Sequence, residues 1–117
     1  MVGQVNGAWR TAIEVPGTAA LNRGGSAGIA SVSCASAGNC SAGGNYQDSS
    51  GHDQAFVVSQ ASGTWHTAIE VPGTAALNQG GIARTASVSC ASAGECSAGG
   101  DYTDGSGHQQ AFVVSQT

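Results

Sequence analysis

The feature that most limits what this chain can become is a close internal repeat. Residues 9–60 align with residues 65–116 without a gap, 56 positions apart, and 42 of the 52 paired positions carry the same residue. A chain of 117 residues built this way must fold as two copies of one unit. The period lies just above the usual lengths of propeller blades and solenoid units. Identity this high marks recent duplication or deliberate engineering. The copies divide the chain at 1–60 and 61–117, each an outer strand followed by one blade, together forming one structural unit.

Within each copy the stretch Ser31-Val32-Ser33-Cys34-Ala35-Ser36-Ala37-Gly38-Asn39-Cys40 returns at positions 87–96, with Glu95 in place of Asn39. Alternating Val, Ser and Cys suit a short pleated strand with one buried face. Ser36-Ala37-Gly38 reads as a three-residue hairpin loop, with Gly38 free to go left-handed. That register sets Cys34 opposite Cys40 and Ala35 opposite Asn39, and it repeats for Cys90 and Cys96. Directly opposed residues lie within disulfide reach, about 4.5–5.5 Å apart at Cβ. Free buried thiols are the alternative. Zinc needs tighter Cys-x-x-Cys or Cys/His spacing than the five intervening residues here. Each bridge closes a short loop, so its stabilisation is modest, roughly 2 kcal/mol in the chain-entropy model.

In chain order, residues 8–15 alternate as a strand, with Trp9, Thr11, Ile13 and Val15 on one face and Arg10, Ala12 and Glu14 on the other. Pro16-Gly17 ends it. A long Ala/Gly-rich link follows, with room for one helical turn at residues 18–21. Strands are expected at 30–35, 40–46 and 54–60. Gly43-Gly44 leave space for another backbone, and a turn at 48–51 precedes the last strand. Residues 64–71 then restart the cycle. The expectation is strands only: an all-β fold of two four-stranded antiparallel propeller blades per chain. Ser31, Ser33 and Ala35 fit the strand nearest a crowded central channel, and the Trp strand fits the outer edge.

Composition removes several classes. The net charge is −4, lysine is absent, and Arg10, Arg23 and Arg84 are the only arginines. No basic footprint for nucleic acid exists. No apolar run is long enough for a membrane helix, and Met1, read as an initiator, does not open a signal peptide. Four cysteines in two local pairs fit an oxidising compartment.

The pattern Gly-x-Trp…Pro…Ser-Val-Ser-Cys…Cys-x-Ala-Gly-Gly-x-Tyr-x-Asp-x-Ser-Gly…Phe-Val-Val-Ser resembles repeats of secreted or surface proteins of actinobacteria. Those repeats are similar in turn to Asp-box (BNR-like) sialidase-type propellers. The matching residues are Gly63, Trp65, Pro72, Ser87 to Cys90, Cys96, Tyr102, Asp104, Ser106, Gly107 and Phe112 to Ser115. The Asp-box itself is not matched, because residues 59–65 lack the aspartate and are shorter. The resemblance implies a propeller and an extracellular setting, and no activity.

Two blades leave two faces bare, and closed propellers hold about 4–8 blades. The chain is therefore expected to close head to tail with copies of itself. Three chains giving six blades are preferred, then four giving eight, then two giving four. Each N-terminal strand would complete a blade begun by a neighbour, which satisfies the open edges. A self-contained two-sheet sandwich is the competing fold.

Asn22, Tyr46, Asp48, His52 and Gln54, with their copies Asn78, Tyr102, Asp104, His108 and Gln110, fall in loops expected on one face. Carboxylates, amides and an aromatic ring are what a shallow sugar site uses. In the plainer reading Asp and Ser shape their turns by side chain–backbone hydrogen bonds and Tyr packs between blades. Glu14 and Glu70 either pair with Arg10 or Arg84 or remain solvated, and His66, which replaces Arg10, is expected to be exposed. Ser, His and Asp crowd one short turn, which does not align a triad, and no arginine is shared by the copies. No enzyme, cofactor or metal site is expected. The functions left are a structural, self-assembling scaffold or a multivalent lectin-like module for glycans or other extracellular ligands.

Overall fold

The computed structural model describes residues 2–5 and 7–116, Val5 as backbone only, so Met1 lies outside the described residues. Strands make up 55% of the chain and helix 7%. The elements are β1 (Gln4–Val5), β2 (Ala8–Trp9), α1 (Thr18–Leu21), β3 (Ala27–Ser36), β4 (Asn39–Gln47) and β5 (Asp53–Ala61). They continue with β6 (Thr64–Trp65), β7 (Ile69–Glu70), α2 (Thr74–Leu77), β8 (Ala83–Ser92), β9 (Glu95–Thr103) and β10 (Gln109–Ser115). The first large sheet runs β3-β4-β5-β6, with β7 also on β5. The second runs β8-β9-β10, and β1 pairs with β2. Every ladder within these sheets is antiparallel.

Each hairpin forms where the sequence places it. Cys34 faces Cys40 and Cys90 faces Cys96, and both pairs are disulfides, with Cα atoms 3.9 and 4.0 Å apart. The loop is one residue shorter than expected. Ser36 pairs with Asn39, leaving a turn of Ala37-Gly38 and an irregularity at Ala35. Gly38 and Gly94 sit at φ 77° and 75°, a conformation that suits glycine and tightens the turn.

Three expectations are corrected. The fold is not strands alone, because α1 and α2 each make one turn. Gly17 and Gly73 (φ 90°) swing the chain into them, and the hydroxyls of Thr18 and Thr74 donate back to the carbonyls of Val15 and Val71 at 2.7 Å. The two sheets are also unequal. The first takes its outer edge from β6 and β7, whereas the second has three strands with β10 at its rim. Residues 10–15 lie in none of these sheets, and Trp9 pairs with Gln4 instead.

The third correction concerns the outer strand itself. Trp65 faces Gln60 and Ile69 faces Val57. Three steps along β5 thus match four along the outer strand. The extra residue puts Trp65 and Ile69 on opposite faces, where simple alternation had them together. The slip occurs where the Ala68 N–H leaves the sheet to donate to Pro16 O at 2.7 Å.

Two apolar clusters form. Val15, Ala42, Tyr46, Phe56, Val58 and Ala68 bury one another on one face of the first sheet, with Leu21 and Trp65 against them. Ala55, Val71, Ala83 and Phe112 form the other, joined by Val57, Tyr102 and Val114, and it lies between the two sheets.

Candidate functional site

The chemistry of the molecule is concentrated in the seam where the sheets stack. The strand registers put Ser31, Ser33, Ser41, Gly43, Val57, Ser59 and Ile69 on one face of the first sheet. They put Val88, Cys96, Ala98 and Val114 on the opposing face of the second. Gly43 allows the approach, since a Cβ there would come within 2.5 Å of Thr85 Cγ2.

Hydroxyls stitch the inner part of the seam. Ser31 Oγ accepts from Val88 N and Ser33 Oγ from Cys90 N, both at 3.1 Å, and Thr85 Oγ1 donates to Phe56 O at 3.2 Å. A disulfide sulfur carries no proton, so Ser41 Oγ donates to Cys96 Sγ across 3.2 Å. That fixes the direction of a relay: Gln116 Nε2 donates to Ser59 Oγ (3.1 Å), which donates to Ser41 Oγ (3.1 Å). Ser31 and Ser33 stand out in the sequence as small residues, and Ser41 and Ser59 do not. The alternation in Ser31-Val32-Ser33 was the visible signal.

At one end of the seam three of the expected site residues meet. Gln54 Nε2 donates to Asp48 Oδ2 at 3.0 Å, and Asn78 Nδ2 donates to Gln54 Oε1 and to Asp53 O, both at 3.0 Å. Asp48 Oδ1 accepts the amides of Ser50 and His52. These bonds, the one from Gln54 first, hold the Asp48 carboxyl below its usual range. Asn78 is buried, so this network ties the link after the first sheet to the turn before it. His52 is exposed, its ring against Gly81.

The copies are divided between the two ends of the molecule. Asp104 accepts Gln110 Nε2 at 3.1 Å and the amides of Ser106 and His108 at 2.9 Å, and its carboxyl is again lowered, chiefly by the His108 amide. No asparagine reaches Gln110 among the described hydrogen bonds. Asn22 Oδ1 accepts Ser26 N at 2.7 Å, in the link that pairs with Gln47. Tyr46 is buried beside Phe56 (ring centroids 6.3 Å apart), and burial, then Glu70 and Asp48, pushes its hydroxyl up to about 12. Tyr102 packs against the cluster around Val71. The ten residues expected to form a groove therefore divide into a tie between the first sheet and the link after it (Asp48, Gln54, Asn78), half of such a tie (Asp104, Gln110), the turn residues His52 and His108, the buried Tyr46, the half-buried Tyr102 and Asn22.

Glu70 is half-buried, and burial followed by Asp48 raises its carboxyl above the usual value. Arg84 does not meet a glutamate. It lies opposite Asp101 in the register, with Nε 3.5 Å from Oδ1. His66 is exposed. Toward the rim the seam widens into a cleft of about 380 Å³ lined mainly by Val57, Thr67, Ile69, Ala98, Val114 and Gln116, which sequence reading did not anticipate. The cleft is apolar and carries no clustered acid–base pair. Among the described residues no three His, Cys, Asp or Glu side chains gather to hold a metal.

The chain matches no family model, no curated protein and no solved structure. The two disulfides point to an oxidising environment, and no helix is long and apolar enough to cross a membrane.

Proposed function

We propose that this chain is a non-catalytic building block, two adjacent blades of a β-propeller that closes by assembling with copies of itself in a structural role. One observation carries the reading: positions buried in the seam lie open on the outer faces of the two sheets, along β3 in the first and β10 in the second, while Val15 and Leu21 cover part of the first sheet's outer face. Val88 is 7% exposed in the seam, and its copy Val32 on the outer face of the first sheet is 53% exposed. Ala55 is fully buried in the seam, while its copy Ala111 is exposed, and Val113 beside it is 88% exposed. These open surfaces belong to complementary halves of the seam that the chain already forms. Stacking one onto the other repeats a contact by rotation, which closes into a ring when the rotation completes a full turn. Closure at about six blades from three copies comes first, and about eight from four copies second.

Native mass spectrometry and sedimentation at several concentrations test this. A discrete species of three or four chains is the expected result. A single-chain mass across the whole range overturns it.

A further inference from the structure

We propose that the outer edge of β10 is a docking edge for a second copy of this chain, which adds its residues 9–15 as an outer strand and sets Trp9 into the rim cleft. This rests on the ring reading above, and it specifies which atoms meet. The template lies in the first sheet. There residues 65–71 pair with β5 as Gln60 with Trp65, Val57 with Ile69 and Phe56 with Glu70. Residues 9–15 repeat 65–71 at every position except 10, and residues 111–116 repeat 55–60 without change. The same donors and acceptors therefore set one register. Trp9 of the second copy faces Gln116, Ile13 faces Val113 and Glu14 faces Phe112. The Ala12 N–H then reaches Pro72 O, as Ala68 N reaches Pro16 O at 2.7 Å.

The chain cannot make this contact with itself. Val15 is held with Tyr46 and Phe56 on the face of the first sheet that points away from the second. The cleft fits the incoming side chain. In the first sheet Trp65 packs over the cluster containing Ala42 and Val58, which are 0% and 2% exposed. Their copies Ala98 and Val114 line the cleft, with Val114 half-buried, and Trp9 is 69% exposed. An indole there covers apolar surface on both sheets.

The N-terminus adds a consequence. Val2-Gly3-Gln4-Val5 echoes Val58-Ser59-Gln60-Ala61 and the end of β10. In the free chain Gln4 faces Trp9, Val5 faces Ala8, and Arg10 N donates to Gly3 O at 2.6 Å. These are the counterparts of Gln60 with Trp65, Ala61 with Thr64, and His66 N with Ser59 O at 2.8 Å. Residues 3–5 thus occupy the edge that Ser115 and Gln116 of a neighbour take on docking. The N-terminal hairpin is a tethered competitor, and assembly displaces it.

Full-length variants test the register. An equimolar mixture of Ile13→Cys and Val113→Cys chains, oxidised and peptide-mapped, is expected to give a 13-to-113 cross-link that neither variant gives alone. Trp9→Ala is expected to weaken association by at least about tenfold, with the thermal stability of the single chain unchanged, because Trp9 is exposed there. Trp65→Ala should weaken association less. Gly7→Val puts a β-branched residue at φ 79°, loosens the hairpin and is expected to tighten association several-fold. If the chain forms its multi-chain ring but the 13-to-113 link is absent and Trp9→Ala has no effect, this inference fails and the ring reading stands. Unchanged association in Gly7→Val removes the competitor. A chain that is monomeric at every concentration overturns both.

Discussion

Val57 and Val113 are the same residue in two copies of one repeat, yet Ile69 lies opposite the first while the second is 88% exposed. Val88 and Val32 make the reverse pair, 7% exposed in the second copy and 53% in the first. Identical residues differ because each copy has company on only one side. The first has no sheet packed on its outer side, and the second lacks both a sheet beyond it and an outer strand. Burial in this molecule is therefore a property of position in a series, as in repeat arrays whose stability sums unit and interface contributions.

Perturbing matched positions sharpens or breaks that comparison. The largest effect should come from Phe56→Ala, which removes a 1% exposed ring from the complete sheet and is expected to cost about 3–5 kcal/mol. Phe112→Ala, at 8% exposure beside an open edge, should cost measurably less in the single chain and about as much as Phe56→Ala in an assembly. Chemical denaturation at low and high protein concentration separates the cases. Equal costs in the single chain break the comparison.

Next come the disulfides. Replacing both Cys90 and Cys96 by Ser should cost about 2 kcal/mol from loop closure, plus the disturbance of the hydrogen bond that Cys96 accepts from Ser41. Replacing Cys34 and Cys40 should cost the loop closure alone. Val88→Ala is expected to lose about 1–2 kcal/mol, while Val32→Ala should stay within about 0.5 kcal/mol in the single chain. Urea melts of the paired variants read both differences.

The smallest effect is electrostatic. Glu70 has a raised carboxyl pKa, so between the ordinary carboxylate value and the raised one the folded state holds more protons than the unfolded state. Stability therefore falls as pH rises through that window. Glu70→Gln should flatten this slope, and Glu14→Gln at the exposed copy is the matched control. Asp48 is shifted the other way. Its contribution is present above the ordinary aspartate pKa and is lost as pH falls through its lowered one, which Asp48→Asn should remove. Thermal melts from pH 3 to pH 7 check both signs.

Much of the architecture was legible because its signals are local. The spacing of Cys34 and Cys40 about a glycine turn dictated a hairpin and its bridge, and the repeat dictated that it occur twice. Gly43 was expected to admit another backbone, and the side chains of Thr85 and Val88 fill the space instead. The outer strand misled for a physical reason. Its alternation is sound within the strand, but Ala68 gives its N–H to Pro16, a partner distant in sequence, and the extra residue turns Ile69 to the other face. The fate of residues 9–15 was also hidden, since the same seven-residue pattern lies beside β5 in one copy, while in the other Trp9 pairs with Gln4 and residues 10–15 lie outside the sheets. Of the expected groove, Asp48 and Gln54 were recognised as polar and close. Nothing in the sequence said that Asn78, one link later, would come across to join them.

The inner seam has one further consequence. The hydroxyls of Ser31 and Ser33 accept from the main-chain amides of Val88 and Cys90. Recognition of this kind reads backbone spacing and ignores the identity of the opposing residues. A strand carrying this pair of hydroxyls can make the same two bonds to any strand that presents amides at the same interval. These two bonds therefore tolerate a change of side chain on the opposing strand, whereas the contacts made by Thr85 and Cys96 do not.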